Sequence, residues 1–402
     1  MNVFERYAPF IQDYIFRHGW KTLRSVQNAA GDAIFGTDAN VLLTASTASG
    51  KTEAAFFPIL TLLNEDPPQS IAVLYIAPLK ALINDQFERL DEICEEAGIL
   101  VSRWHGDVAQ SKKRRLIKKP SGILQITPES LESLLLNKQS DIPSLFHDLR
   151  FIIIDEMHSL LRGDRGGQTF CLIERLSRLA GRDPRRIGLS ATIGKPEEAA
   201  KLLGAGSKRP TLIPRFDGGK EVWRLAIEHF YKGAPGSEEK EETPKKGLKK
   251  TSDTSAPPMA DPGIGYIFEH SYGKKCLIFT NSREECETVC QTLRRYCEAK
   301  HEPERFLIHH GNISKTYRES AEEDMKNEDS CTSVCATATL ELGIDIGRLE
   351  KAFHIDAPFT VSGFLQRLGR TGRRGTPSEM CLVIREEPSL PRSLFPETIP
   401  WP

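Results

Sequence analysis

The sequence predicts an α/β protein of two domains, each with a mainly parallel sheet flanked by helices. At 402 residues, of which 39% are hydrophobic and 27% charged, the chain is long enough for two domains of ordinary size. Short apolar runs alternate with longer helical patterns, which is typical of a parallel sheet. One apolar run, residues 40–43, leads into a loop that ends in Gly-Lys-Thr. In such folds, ligands bind at the carboxyl ends of the strands.

Composition narrows the possible functions. No stretch approaches the roughly 18 uninterrupted apolar residues of a membrane span, so we expect a cytoplasmic protein without a membrane partner. Nine cysteines without a Cys-x-x-Cys pair indicate reduced thiols more than a metal site. The 54 Lys and Arg residues nearly balance the 55 Asp and Glu residues. Any contact with nucleic acid must therefore come from local features.

The loop at residues 45–52 is the first element that carries chemistry. It lies between the predicted strand and a helical run at residues 53–60, the context in which a phosphate-binding loop is meaningful. Its amides would hold phosphate oxygens, Lys51 would reach the β and γ phosphates, and the Thr52 hydroxyl would bind Mg²⁺. Alanines at 45 and 48 stand where related loops often have glycine. The alternative is a Ser/Thr-rich turn that happens to contain Gly-Lys-Thr.

Helices and strands on both sides complete the first domain. Residues 4–35 are predicted to be helical and contain Gln27, whose amide can donate and accept at an adenine edge. A lone glutamine on a helix is otherwise a surface residue. Residues 71–77 and 122–126 are predicted strands, as is a shorter run that ends near residue 104. Residues 127–130, Thr-Pro-Glu-Ser, cap the following helix.

Two adjacent acids form the strongest single feature. Four bulky apolar residues at 151–154 predict a buried strand, and Asp155 and Glu156 follow directly. Asp155 would hold Mg²⁺, partly through water, and Glu156 would orient and activate the attacking water. The alternative is a simple helix cap. A second strand at residues 187–189 ends in Ser190 and Thr192, whose hydroxyls would sense the acids.

Taken in order, these segments resemble the first RecA-like domain of a superfamily 2 helicase of the DEAD/DEAH type. The second half supplies further motifs of that superfamily at residues 275–282, 309–311, 336–347 and 366–373. The set extends from about residue 20 to 375. Asp-Glu-x-His at 155–158, Thr-Pro-Glu-Ser-Leu at 127–131 and Leu-Glu-Leu-Gly-Ile-Asp-Ile-Gly at 340–347 are most similar to the Lhr (large helicase-related) group.

The resemblance implies that ATP and Mg²⁺ bind in a cleft between two tandem RecA-like domains. The nucleotide-binding residues would be Gln27, Ala48, Ser49, Gly50, Lys51, Thr52 and Glu53, with Gly343 and Asp345 from the second domain. Lys51, Asp155 and Glu156 would be catalytic, and Arg370 and Arg373 would act as arginine fingers. Coupling of the nucleotide to the nucleic acid would use His158, Ser190, Thr192 and Gln366.

The resemblance also implies that single-stranded nucleic acid crosses both domains away from the ATP. Its contacts in the first domain would be Pro78, Lys80, Thr127, Pro128 and Glu129. Those in the second would be Thr280, Ser282, His310, Gly311, Thr337 and Thr339. Few aromatic residues lie in these segments, which favours contact with phosphates over contact with bases. DNA is slightly favoured over RNA, although no segment contains a recognisable reader of the 2′-hydroxyl.

We place the first domain at residues 1–215 and the second at 216–390, with a polar, flexible insert at 233–263. Residues 391–402 form a tail. Lhr-like proteins continue with further modules at about this point, so we expect a helicase core, monomeric or completed by another subunit or a missing C-terminal region.

Three functions are consistent with the sequence. The first is a nucleic-acid-dependent ATPase of helicase type that moves along one strand, 3′ to 5′ by resemblance. The second is a translocase subunit that remodels double-stranded DNA in a repair or defence complex. The third is a nucleotide-gated, nucleic-acid-binding scaffold. The joint presence of Lys51, Asp155, Glu156, Arg370 and Arg373 disfavours the scaffold.

Overall fold

A computed structural model describes residues 2–45, 49–161, 163–191, 193–217, 222–231, 261–327, 329–340, 347, 349–372 and 377–386. The described residues up to 217 form one compact unit, and those from 222 onward form a second. Each unit contains one parallel sheet flanked by helices, which confirms the predicted fold class.

The strands of the first unit are β1 Asn40–Thr44, β2 Ile71–Ile76, β3 Val101–Trp104, β4 Gly122–Ile126, β5 Phe151–Ile154, β6 Arg185–Ser190 and β7 Thr211–Leu212. Its helices are α1 Val3–Arg6, α2 Pro9–Arg17, α3 Ser25–Gly36, α4 Lys51–Glu65, α5 Lys80–Glu95, α6 Gln110–Lys118, α7 Pro128–Asn137, α8 Ile142–Leu145, α9 Asp164–Ala180 and α10 Pro196–Gly204. The order in the sheet is β3-β4-β2-β5-β6-β1-β7.

Parallel pairing brings the predicted motifs to one edge of this sheet. Strand β5 lies between β2 and β6, and β6 pairs with β1. The phosphate loop follows β1, the two acids follow β5, and Ser190 is the last residue of β6. The carboxyl edge is therefore the candidate site, as expected for an open parallel sheet.

Strand β5 is fixed by burial on both faces. Phe151 and Ile153 pack into one hydrophobic cluster, while Ile152 and Ile154 pack into another. Both clusters are built from side chains of the sheet and the helices that cover it. Full burial of one such side chain contributes about 1.5–3 kcal/mol. A continuous apolar run is the pattern required of a strand covered by helices on both sides.

The strands of the second unit are β8 Trp223–Tyr231, β9 Cys276–Phe279, β10 Phe306–His309, β11 Ser333–Ala336, β12 Lys351–Ile355 and β13 Ser378–Glu386, in the order β10-β11-β9-β12-β13-β8. Its helices are α11 Pro262–His270, α12 Arg283–Ala299, α13 Lys315–Lys326 and α14 Val361–Leu368. Helix α11 corrects the end of the predicted insert, because Pro262 and Gly263 are helical and Asp261 caps them. The tail at 391–402 lies outside the described residues.

Among the helices in the described ranges, none is both long enough and apolar enough to cross a membrane.

Candidate functional site

Gly50 ends the phosphate loop in a conformation suited to glycine. Its φ is 83°, and it caps the N-terminus of α4. A Cβ atom there would lie 2.9 Å from Nε2 of Gln27. The left-handed backbone and this close approach together explain why glycine occupies the position. Residues Thr47 and Ala48 lie outside the described part of the chain.

The side chains around Gly50 are arranged for an anion. The Lys51 ammonium donates to the Ala45 carbonyl at 2.7 Å, so it lies across the base of the loop. The Ser49 hydroxyl is buried and has no hydrogen-bond partner in the described part of the structure. Thr52 follows in the first turn of α4. The N-terminus of this helix, with its positive dipole end, is a favourable phosphate site.

Gln27 is buried, although a lone glutamine on a helix is usually exposed. It is 1% exposed, and its Oε1 accepts from the Arg24 amide at 2.9 Å, at the start of α3. The amide nitrogen is the part that lies near Gly50. The structure thus gives Gln27 a role at the start of α3, close to the loop, and its contact with adenine stays a proposal. Glu53 pairs with Arg89 at 2.6 Å.

Asp155 and Glu156 are both buried at the end of β5. Oδ1 of Asp155 accepts from the Glu156 amide at 2.8 Å, and Oδ2 accepts from the Tyr75 hydroxyl. Burial, with the neighbouring Glu156 charge, raises the pKa of Asp155 to about 6. Glu156 has a φ of 49°, a left-handed conformation that costs a non-glycine residue about 1–2 kcal/mol. Strain of this kind concentrates at functional sites.

His158 connects these acids to the end of β6. Its Nδ1 accepts from the Ala191 amide at 3.0 Å, which places the proton on Nε2. Nε2 lies 3.4 Å from Oε2 of Glu156, and Ser190 Oγ lies 3.4 Å from Nδ1. Burial lowers the pKa of His158 to about 4, and the Lys51 charge adds to the effect. A neutral imidazole therefore lies between Ser190 and Glu156, although its buried Nε2 has no hydrogen-bond partner among the described residues. Thr192 lies outside the described residues.

The residues at this edge fit the magnesium ion that the motifs imply. Thr52 offers a hydroxyl, and Asp155 offers a buried carboxylate whose ionised form needs a nearby positive charge. Mg²⁺ prefers oxygen ligands of this kind and retains several waters. Thr52 and Asp155 are therefore the residues that would hold the ion.

In the first unit, Arg165 joins two of the predicted nucleic-acid segments. Its guanidinium donates to the Pro78 carbonyl at 2.6 Å and to the Glu129 carboxylate at 2.7 Å. Thr127 caps α7, which begins at Pro128. Lys80, at the start of α5, pairs with Asp107 at 3.1 Å. Sequence reasoning missed Arg165, because nothing in its neighbourhood at the start of α9 indicates partners about 40 and 90 residues away.

Six residues of the second unit are predicted to contact nucleic acid. Four of them line one cavity of about 580 Å³; they are Ser282, Gly311, Thr337 and Thr339. The other two have buried side chains. Thr280 is fully buried and donates to the Ser282 carbonyl at 3.0 Å, so its side chain shapes the turn. His310 is 1% exposed, and its Nε2 lies 3.0 Å from Oε1 of Glu287.

The last motif begins on α14. Gln366 is 6% exposed and donates to the Ser362 hydroxyl at 3.2 Å. Arg370 is 2% exposed. Gly343, Asp345 and Arg373 lie outside the described residues. The finger role of the two arginines therefore remains a prediction.

Two family models match the chain. Residues 24–200 match DEAD/DEAH box helicases, and residues 263–375 match the helicase conserved C-terminal domain. Together they cover more than two thirds of the sequence. The ordered motifs and the two parallel sheets agree with both matches.

Curated relatives and solved structures specify the group. The ATP-dependent helicase Lhr-Core of Methanothermobacter thermautotrophicus is 33% identical over 83% of this chain and 39% of its own length. The protein of the same name from Saccharolobus solfataricus is 30% identical over 92% and 42%. The Mycobacterium smegmatis helicase Lhr, solved with ssDNA and AMP-PNP, is 28% identical at a TM-score of 0.75, with 96% of this chain and 48% of that chain covered.

This chain spans about two fifths of the length of those curated relatives. Its two α/β units carry the motifs in the order that the family requires. The chain belongs to the superfamily 2 helicases of the DEAD/DEAH type and is an Lhr-like helicase core.

Proposed function

We propose that the chain is an ATP hydrolase of helicase type that binds single-stranded nucleic acid and moves along it. One observation carries the proposal: the carboxyl edge of a single sheet brings together the phosphate loop, the two acids and the His158 connection to β6. Such an arrangement combines a site that binds phosphates with a carboxylate that can accept a proton from the attacking water. The membership of an Lhr-like family, whose named relatives are ATP-dependent helicases, supports it.

The proposed mechanism begins with release of the Lys51 contact. The ammonium group that donates to the Ala45 carbonyl would turn to the β and γ phosphates, while amides at the start of α4 hold the remaining oxygens. Mg²⁺, when bound by Thr52 and Asp155, would neutralise charge that develops on the phosphates.

Glu156 would orient the attacking water and accept its proton. The His158 Nε2 lies 3.4 Å from the Glu156 carboxylate, and His158 Nδ1 accepts from the backbone after β6. A shift of that segment on binding of nucleic acid would therefore reach the base. Arg370 and Arg373 are proposed to stabilise the transition state, a role typically worth 10³–10⁵-fold in kcat.

The nucleic-acid partner and the direction are further parts of the proposal. The Mycobacterium smegmatis relative was solved with ssDNA, which supports DNA over RNA here. Movement 3′ to 5′ and a cytoplasmic location follow from the resemblance and the sequence.

Steady-state ATP hydrolysis tests the proposal. The rate is measured with Mg²⁺ alone and with single-stranded DNA, single-stranded RNA or double-stranded DNA, for the wild type and Glu156→Gln. We expect stimulation by single-stranded DNA, and we expect the variant to bind ATP while its turnover nearly disappears. Stimulation only by the duplex would favour the remodelling translocase. ATP binding without hydrolysis under every condition would favour the scaffold.

A further inference from the structure

The cavity of the second unit contains an exposed aromatic residue outside every predicted motif. Phe359 follows β12 and is 85% exposed, although a phenylalanine normally loses most of its surface on folding. It lies on the cavity wall together with Thr337 and Thr339. Pro358 and Thr360 flank it on the same wall, so the segment that carries this exposed side chain borders the cavity.

A cation lies at the same cavity. Arg283 is exposed at the first position of α12, and among the residues that the structure describes no side chain pairs with it. Its guanidinium lies 3.7 Å from the position that a Cβ atom of Gly311 would take. Positive charge at a helix N-terminus opposes the helix dipole, so Arg283 does not stabilise α12. An anion bound here would remove that penalty.

The lining combines the groups that a nucleotide unit requires. Arg283 supplies positive charge, Thr337 and Thr339 supply hydroxyls, and Phe359 supplies a flat apolar face. The volume of about 580 Å³ lies within the range of small-molecule sites. Contact with phosphates alone would not require an exposed ring. Bases stack on such rings irrespective of sequence, because every base has a π face.

Thr339 is held in place from behind. His309 Nδ1 lies 2.9 Å from its Oγ1, and His309 Nε2 lies 2.8 Å from Oε1 of Glu322. His309 and Glu322 belong to β10 and α13, so two elements fix the orientation of this hydroxyl. The cavity wall is therefore preformed at this point.

We propose that Phe359 stacks on a base of the bound single strand while Arg283 contacts the adjacent phosphate. The chain then contacts a base of the strand as well as its phosphates. This inference rests on the proposed binding of single-stranded nucleic acid. It adds that a base of the strand is recognised. It also adds a base contact to the sequence-based expectation, which favoured contact with phosphates over contact with bases.

Equilibrium binding measurements distinguish the contact with a base from the contact with a phosphate. The chain is titrated against labelled oligo-dT and against a strand of the same length in which abasic spacers replace the bases. Stacking on one base is worth about 1–3 kcal/mol, or about 5- to 150-fold in Kd. We expect the wild type to bind the abasic strand more weakly by a factor in this range. We expect Phe359→Ala to lose a similar factor on oligo-dT and little on the abasic strand.

Three further variants make the result specific. Phe359→Trp should retain binding of oligo-dT, and its tryptophan fluorescence should be quenched by the strand. Phe16→Ala removes a phenylalanine of matched exposure, 84%, from the first unit and should leave both affinities unchanged. Arg283→Ala should weaken binding of both strands and reduce the slope of log K against log salt by about 0.7.

Equal binding of oligo-dT by Phe359→Ala and the wild type would overturn the inference, as would an equal loss on both strands. The outcomes remain distinct from failure of the proposed function. If the wild type binds neither strand, the proposed function fails. If it binds both strands equally and Phe359→Ala changes nothing, only the stacking role fails.

Discussion

The hydroxyl of Tyr75 donates a hydrogen bond to Oδ2 of Asp155, between two neighbouring strands of one sheet. Tyr75 is fully buried in β2, and Asp155 follows β5. Burial and the neighbouring Asp155 carboxylate raise the pKa of Tyr75 well above its ordinary value, so its hydroxyl remains a donor. One carboxylate oxygen of Asp155, the proposed magnesium ligand, is thus oriented by Tyr75, a residue outside the helicase motifs.

Replacement of Tyr75 by phenylalanine should lower both stability and metal affinity. The change leaves a buried carboxylate oxygen without its donor, which typically costs about 1–3 kcal/mol. We expect the free energy of unfolding in urea to fall by that amount. The Mg²⁺ concentration needed for half-maximal binding of a fluorescent ATP analogue should rise.

Tyr7→Phe is the matched control. Tyr7 is also buried, but its hydroxyl has no hydrogen-bond partner in the described part of the structure. Loss of an unsatisfied buried hydroxyl should leave stability unchanged or slightly increased. If the two variants were equally destabilised, the effect of Tyr75→Phe would be one of packing and the orienting role would be wrong.

The pKa of Asp155 predicts a dependence of stability on pH. Its native pKa of about 6 lies above the ordinary value of 3.8, so the native state binds the proton more tightly than the unfolded chain. Stability from this group is complete below about pH 3.8 and is lost as pH rises through about 6. Asp155→Asn removes this pH-dependent loss of stability, because an asparagine side chain does not ionise. Without metal, the variant should therefore be more stable than the wild type at pH 8 by about 1–3 kcal/mol.

Urea unfolding of both proteins from pH 4 to pH 8 measures this effect. The stability advantage of Asp155→Asn should grow with pH and level off above about pH 7. An advantage that is constant or shrinks over this range would show that Asp155 is not held with a raised pKa.

Features governed by local pattern could be predicted from the sequence. The run at 151–154 permits little except a strand buried on both faces, and Gly-Lys-Thr after a strand fixes the start of α4. Parallel pairing then places the acids and the loop at one edge. The same reasoning failed at the end of the insert, where Pro262 is a first helical residue and not part of a loop.

Features governed by side-chain direction could not be predicted. Thr280 follows a strand as Ser282 does, yet only Ser282 lines the cavity. The Tyr75–Asp155 and Arg165–Pro78 hydrogen bonds join residues 80 and 87 positions apart, and pattern carries no information about such pairs. Exposure of Phe359 is also a result of tertiary packing, because an isolated phenylalanine after a strand is usually buried.

Replacement of Gly50 by alanine should damage the phosphate loop. The left-handed backbone would cost alanine about 1–2 kcal/mol, and its Cβ would displace the Gln27 amide 2.9 Å away. We expect lower stability by at least that amount and weaker binding of the fluorescent ATP analogue. Gly36→Ala is the control, since a Cβ there meets open space at the end of α3. Equal effects of both changes would remove the special role of Gly50.

Replacement of Arg165 by alanine should weaken binding of single-stranded DNA and leave ATP binding intact. Its guanidinium donates to both the Pro78 carbonyl and the Glu129 carboxylate. Its loss would therefore remove the link between two segments that are proposed to contact the strand. We expect about a tenfold rise in Kd for oligo-dT, which corresponds to about 1.4 kcal/mol. Arg165→Lys should not restore binding, because an ammonium lacks the planar fork.

Arg17→Ala is the matched control for Arg165→Ala, since Arg17 forms an exposed ion pair with Glu96 in the same unit. Pairs of this kind contribute little to stability, so binding of oligo-dT should be unchanged. The ATP analogue separates local from global effects, because its site lies on other strands of the sheet. If Arg165→Ala weakened ATP and DNA binding together, the bridge would support the whole unit. Loss of DNA binding alone would assign Arg165 to the surface that holds the strand.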